Sequence, residues 1–179
     1  MAEEARFLRM DPQLRKANLV AATLTCLKKY GFVGTSIRKI CAEAGVSVGL
    51  ISHHYAGKDE LVADAYLHIT GQVMSLLREA VANAGEGARE QFSAFFEASF
   101  SPRMLDPELL EAWLAFWGAV KTAEAINQAH EHSYGEYRSI LRKVLSELAD
   151  EEGWEQFDAD LAAIGLSALL DGLWLESGL

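Results

Sequence analysis

Apolar residues recur along this chain at intervals of three and four, the spacing that gathers them on one face of a helix. No segment shows the strict alternation of a half-buried strand, so the expected fold class is all-α. Asp11-Pro12 opens a first helix, because a carboxylate accepts from the free amides of a first turn and proline fits there. Its apolar stripe is Leu14, Ala17, Val20, Ala21, Leu24 and Leu27, and Gly31 ends it. Thr35 then caps a short helix with Ile37, Ile40, Cys41 and Ala44 on one face, stopped by Gly45. Ser47 caps a third short helix whose apolar contacts are Leu50 and Ile51. After Gly57, Lys58-Asp59-Glu60 starts a long helix through Leu61, Ala65, Ile69 and Leu76 to about residue 84.

Gly85-Glu86-Gly87 reads as a turn, followed by a helix over 88–100. Asp106-Pro107 repeats the capping signal and starts a helix through Trp113, Phe116, Trp117 and Val120. Another helix spans about 123–148. The acidic stretch 150–160 is expected to be a loop in which Trp154 and Phe157 pack, and the last helix starts near Asp158. This divides the chain into a head, residues 1–57, and a helical body, residues 58–179.

Charge first complicates this picture and then sharpens it. With 26 acids against 16 bases, the net charge of −10 taken whole argues against nucleic acid. The distribution is uneven, however. Residues 1–60 carry nine Lys/Arg and six acids, a charge of +3, and the remainder carries −13. Two cysteines make no disulfide framework and suit a reducing compartment. The opening MAEEARFLRM lacks the basic start and apolar core of a signal peptide. The longest apolar stretch, Leu161 to Leu175, is interrupted by Asp171 and is too short to span a bilayer. A cytoplasmic protein with no membrane partner is expected.

The segment TSIRKICAEAGVSVGLISHHYAGKDEL, Thr35 to Leu61, holds two helices too short to bury enough surface alone. They must pack as a pair across Ala44-Gly45-Val46 and onto the first helix, which is a helix-turn-helix arrangement. The groups on the second helix suit DNA: Ser47, Val48, Gly49, Ser52, His53, His54 and Tyr55, with Gly49 permitting close backbone approach. Thr35, Ser36 and Lys58 stand at helix starts, where amides and the helix dipole favour phosphate. By spacing alone, a DNA reader and an ordinary helical packing unit are evenly matched. The competing function is a helical small-molecule-binding protein or enzyme that does not bind DNA.

Gly31, Thr35, Ile40, Ala44-Gly45-Val46-Ser47, Gly49, His54, Tyr55, Lys58 and Leu61 together resemble the DNA-binding domain of the TetR family of transcriptional regulators. Leu50-Ile51-Ser52-His53-His54-Tyr55, AWLAFW (112–117) and LLDGLWL (169–175) resemble the BetI-like branch, the choline-responsive repressors of betaine synthesis. The resemblance implies a three-helix N-terminal DNA-binding domain and a C-terminal helical domain for effector binding and dimerisation. It further implies a homodimeric repressor on a palindromic double-stranded operator. A small-molecule effector would release it, such as the quaternary ammonium choline or betaine aldehyde. Many family members carry, where this chain has Ser52, a tyrosine that touches phosphate. Members usually continue past the position of Leu179 into a further short helix at the dimer interface.

The body adds two candidate surfaces. The last helix is apolar on more than one side, through Leu161, Ile164, Leu166, Leu169, Leu170, Leu173 and Trp174. Such a helix needs cover on more than one side. Leu161, Gly165, Ala168, Leu169 and Gly172 are therefore the expected dimer contacts, the small residues permitting close approach. Phe96, Trp113, Phe116, Trp117, Tyr137 and Trp174, with Asp171 as counter-charge, are the candidate lining of a chamber for a cationic ligand. Glu111 is a weaker candidate for the counter-charge, and ordinary core packing is the competing reading of the aromatics. His130-Glu131-His132 has the wrong spacing for helical chelation, so no metal is expected. Cys26 and Cys41 read as small buried hydrophobes. No Gly-rich phosphate loop follows a strand, and neither an enzyme activity nor a cofactor is expected.

Overall fold

The computed structural model describes residues 11–52 and 54–177, and these form eight helices and no strand. They are α1 (Pro12–Gly34), α2 (Ile37–Ala44), α3 (Val48–Ser52), α4 (Lys58–Asn83), α5 (Ala88–Ser99), α6 (Pro107–Val120), α7 (Glu124–Glu152) and α8 (Ala159–Ser177). Among the described residues no helix is long and apolar enough to cross a membrane.

The breaks between helices follow from local chemistry. Gly31 lies within α1 at φ 64°, ψ 175°, a conformation a side chain resists, so the helix is interrupted there before one last turn. Gly45 closes α2 at φ 67°, ψ 33°, and the Val46 amide donates back to the Cys41 carbonyl at 2.9 Å. Asp106 caps α6 by accepting from the Glu108 and Leu109 amides at 2.9 and 3.2 Å. Asp158 caps α8 by accepting from the Leu161 amide at 2.9 Å.

Two sequence expectations shift. The cap of α2 is Ser36, whose hydroxyl accepts from the Lys39 amide, and not Thr35. Helix α7 continues to Glu152, into the acidic stretch expected to be loop. Trp154 and Phe157 then pack on each other with ring centroids 5.3 Å apart, while Trp154 keeps about half of its surface exposed.

The described chain forms two compact units. One comprises the residues up to Ile69 together with Glu111–His130; the other comprises Thr70–Leu110 with Glu131 onward. The divide falls inside α4, where the sequence placed it at 57/58. The reason is packing: Leu61, on α4, is buried in the same cluster as Leu19, Ala22 and Cys26 of α1, Ile40 and Cys41 of α2, and Ile51 of α3. Ile37, Ala44, Val46, Leu50 and Tyr55 pack around this cluster. On α1 the buried positions are Leu19, Val20, Ala22, Thr23, Cys26 and Leu27, whereas Leu14, Ala17 and Ala21 of the expected stripe are exposed. Ala17, Ala21, Ala22, Thr23, Thr25 and Cys26 lie all round the circumference of this helix, so its periodicity alone does not fix which face turns inward.

Candidate nucleic-acid interface

Helix α3 has five residues, of which Ile51 is buried and Leu50 half-buried. Ser47, Val48, Gly49, Ser52 and His54 are exposed, so the expected reading face points to solvent. The Ser52 hydroxyl turns back onto the Val48 carbonyl at 3.0 Å. A Cβ added at Gly49 would meet nothing within 4 Å. Nothing inside the unit therefore requires a glycine at this helical position, where it costs helix stability. His53 lies outside the described residues.

The residues expected to hold phosphates are placed differently. Thr35 is 3% exposed, and its hydroxyl hydrogen-bonds with the carbonyls of Gly31 and Cys26 at 2.7 and 3.0 Å. Its amide also donates to the Gly31 carbonyl, at 3.1 Å. Both donors close the end of α1, so in this structure Thr35 serves as an internal cap of that helix. Lys58 reaches back 26 residues to donate to the Phe32 carbonyl at 3.0 Å, with its ammonium 4.0 Å from the centre of the Phe32 ring. Lys39 does the same at the Gly34 carbonyl, 2.6 Å away, over the Tyr30 ring. Both cations thus stabilise the carbonyl end of α1. At the start of α4 the Glu60 carboxylate already accepts from the Ala56 amide at 2.8 Å. Ser36 is half-buried as the α2 cap.

Tyr55 also turns inward. Its hydroxyl donates to Asp64 Oδ2 at 2.7 Å, and Lys16 Nζ lies 2.7 Å from Asp64 Oδ1. Burial, then the hydrogen bond to Asp64 and the charge of that carboxylate, push the Tyr55 phenol well above its ordinary range, so it stays a neutral donor. Asp64 and Lys16 form part of this site and were not found from the sequence. The buried thiols of Cys26 and Cys41 are also pushed up, chiefly by burial, as suits inert core residues.

The candidate ligand residues divide between the units. In the unit that contains α3, Tyr66 is fully buried. Trp113 and Phe116 meet it edge-on at 5.4 and 5.0 Å, and its hydroxyl lies 3.0 Å from His130 Nδ1. Trp117 is half-buried, and the buried Trp113 indole N–H has no hydrogen-bond partner. Glu111 is exposed and pairs with Lys28 at 2.7 Å.

In the other unit, Phe95 and Tyr137 lie 5.5 Å apart, Tyr137 and Tyr134 6.4 Å apart, and Phe96 packs on Phe92 at 4.7 Å. Trp174 donates its indole N–H to the Ser99 carbonyl at 2.9 Å. Asp171 accepts from the Tyr134 hydroxyl at 2.7 Å. Burial raises the Asp171 pKa, and the Tyr134 bond and the Arg138 charge offset this only in part. The Tyr137 hydroxyl is buried and meets no partner in hydrogen-bonding geometry, the neighbouring Ser99 hydroxyl being bonded to the Phe95 carbonyl at 2.8 Å. Burial, then the Asp171 charge, raise its pKa.

Residues 19–65 match the family described as bacterial regulatory proteins, tetR family, and residues 88–179 match the BetI-type transcriptional repressor C-terminal domain. The chain is similar to the HTH-type transcriptional regulator BetI of Escherichia coli strain K12, 33% identical over 93% of this chain and 83% of that protein. The chain belongs to the TetR family. It is a transcriptional regulator of the BetI type, not an enzyme. Two solved structures share its fold. A transcriptional regulator from Pseudomonas aeruginosa PAO1 is 68% identical, with a TM-score of 0.95 over 98% of this chain and 84% of that one. A regulator from Saccharomonospora viridis, solved in complex with choline, is 19% identical, with a TM-score of 0.75 over 92% and 85%.

In this TetR-family chain, Asp171 carries the plainest electrostatic consequence. A carboxyl whose pKa is raised on folding holds its proton better folded than unfolded, so it destabilises the fold increasingly as pH rises above the ordinary value of 3.8. Asp171→Asn is therefore expected to melt at the same or a higher temperature than the parent at pH 7. The difference should vanish as pH falls toward 3.8. Thermal melts across pH check this, and a lower melting temperature at neutral pH would contradict it.

Proposed function

We propose that this protein is a repressor that binds a palindromic operator as a homodimer, each copy placing α3 in a major groove, and that a quaternary ammonium ligand releases it. The carrying observation is the exposed face of α3, with a glycine at its centre that no internal contact requires. A glycine there lets the helix backbone approach a base edge or phosphate more closely than any side chain would. Ser47, Val48, Ser52 and His54 surround it as the reading groups, and His53 is proposed with them from the sequence.

The homodimer reading is supported by α8. One face, Ala163, Ser167, Leu170 and Trp174, is buried within the unit. The other carries Leu161, Ile164, Leu169 and Leu173, all exposed, with Leu161 at 66% and Leu169 at 56%. Gly165, Ala168 and Gly172 lie exposed among them, and a Cβ at either glycine would meet nothing within 4 Å. Leucines interleaved with small residues suit the close, self-complementary contact of a two-fold axis. A two-fold dimer presents two copies of α3 to successive turns of a palindrome.

The cationic effector is supported by the Asp171 cluster. A half-buried acid beside Tyr134 and Tyr137, with Phe96 and Trp174 in the same unit, offers a counter-charge and aromatic faces to a quaternary ammonium. The regulator of similar fold from Saccharomonospora viridis, solved in complex with choline, supports this reading. Effector binding that displaces α4, which runs unbroken from Lys58 to Asn83, needs to alter operator affinity by only about 1–3 kcal/mol to act as a switch.

Three outcomes are expected. Gly49→Ala should leave thermal stability unchanged or raise it by about 0.5–1 kcal/mol, yet lower affinity for a duplex selected from random sequence. Retained affinity would remove α3 from the groove. Leu169→Glu should shift the protein from dimer to monomer in sedimentation analysis, while a parent that sediments as a monomer would end the dimer reading. Choline should raise the melting temperature of the parent, and much less that of Asp171→Asn. No stabilisation of the parent by choline or betaine aldehyde would exclude the cation.

A further inference from the structure

Tyr55 follows the last residue of α3 by three positions, and its amide donates to the Ile51 carbonyl at 3.0 Å, so it belongs to the turn that closes this helix. Its ring packs beside the buried cluster around Ile51. A phenyl ring would fill that space equally well, so packing does not account for the hydroxyl. The hydroxyl donates to Asp64 Oδ2 at 2.7 Å, and the other oxygen of the same carboxylate meets Lys16 Nζ at 2.7 Å. One side chain of α4 therefore holds both the end of α3 and the first turns of α1.

The Asp64 side chain is 26% exposed and that of Lys16 41%. The group is neither a loose surface pair nor a fully dry one, and both contacts have the short length of charge-assisted bonds. Direction matters more here than energy. The burial of Ile51 fixes how deep α3 sits, because apolar contact is non-directional, but it leaves the helix free to swivel about that point. The bond from Tyr55 to Asp64 supplies a second fixed point, at the end of α3 opposite the Gly45 turn. Two points define an axis, and with it the angle at which Ser47, Val48, Gly49 and Ser52 are presented.

We infer that Asp64 is a positioning residue for DNA recognition: by gripping Tyr55 and Lys16 it sets the orientation of α3, and sequence discrimination depends on it although it faces no base. This rests on the reading of α3 as the DNA-contacting helix. It also gives Tyr55 an indirect role in place of the direct DNA contact expected from the sequence.

The test uses the full chain with Tyr55→Phe, Asp64→Asn and the double variant. Folding is checked by circular dichroism. Binding is measured over a range of salt to a duplex selected by the parent protein and to a random duplex. Tyr55→Phe and Asp64→Asn should each lower affinity for the selected duplex on the order of ten-fold. Random-duplex affinity and its salt slope should not change, and the double variant should be no worse than the poorer single one. Lys16→Met should give a smaller loss of the same kind. If the folded variants keep the parent ratio of selected to random affinity, with only the melting temperature lowered, the inference is overturned and the cluster serves stability alone. Gly49→Ala separates the two readings. If it loses selected-duplex affinity while the Tyr55 and Asp64 variants do not, α3 still reads DNA and only the positioning role fails. If all of them retain it, the α3 reading fails as well.

Discussion

A helix of five residues closes too few hydrogen bonds to persist in water by itself. Helix α3 exists because Ile51 is buried among Leu19, Ala22, Cys26, Ile40, Cys41 and Leu61. Full burial of one such side chain is worth about 1.5–3 kcal/mol, enough to hold a turn or so of chain in place. The helical period then dictates what faces outward: Gly49, two residues before Ile51, is about 200° round the axis from it. The same contact that makes the helix exist therefore aims its polar, sterically open face at solvent. Gly45 contributes by turning the chain in a conformation other residues resist, which brings α3 back across α2 within three residues.

The charge distribution works at a different range from these contacts. Lys39 and Lys58 direct their nearest donors at the carbonyl end of α1, yet their charge still acts across the roughly 8 Å over which physiological salt leaves a field unscreened. They lower the cost of ending α1 and contribute to the positive potential of the head at once. The −13 carried by residues 61–179 opposes approach to any duplex. A small positive head on an acidic body favours sites where short-range contacts are good and weakens binding where they are not.

Much of the fold was legible because it follows from neighbours in sequence. The cap at Asp106, the start of the last helix near Asp158, the breaks at Gly31 and Gly45 and the inward set Ile37, Ile40, Cys41, Ala44, Leu50 and Ile51 all depend on the chain within a few residues. Contacts that the sequence did not announce share the opposite cause. Thr35 and Ser36 are adjacent hydroxyls able to serve the helix before or the helix after, and only packing decides that Thr35 faces backward and Ser36 forward. Lys58 finds its carbonyl 26 positions away, and Asp64 its lysine 48 positions away. No periodicity announces contacts at such separations. The departure of Tyr55 from a plain apolar residue was the one available signal. A phenol at a packed position asks for an acceptor, and the following helix offers the acids Asp59, Glu60 and Asp64, among which only packing selects Asp64.

Two features of the second unit lower the stability of the isolated chain and are not fully compensated inside it. Asp171 is an acid held where its charge is disfavoured, and Tyr134 and Arg138 relieve it only in part. Exposed leucines along α8 keep apolar surface in water that another arrangement would bury. Natural cores rarely retain such groups for packing alone, since a neutral or smaller residue would serve the fold better. Each cost is removed by a specific complement: a positive charge beside Asp171, and a second apolar helix against Leu161, Leu169 and Leu173. Those complements are the cation and the second copy of the chain on which the proposed regulation turns. Because both act on helices of one unit, the energy of occupying the first site can bear on how the second is arranged.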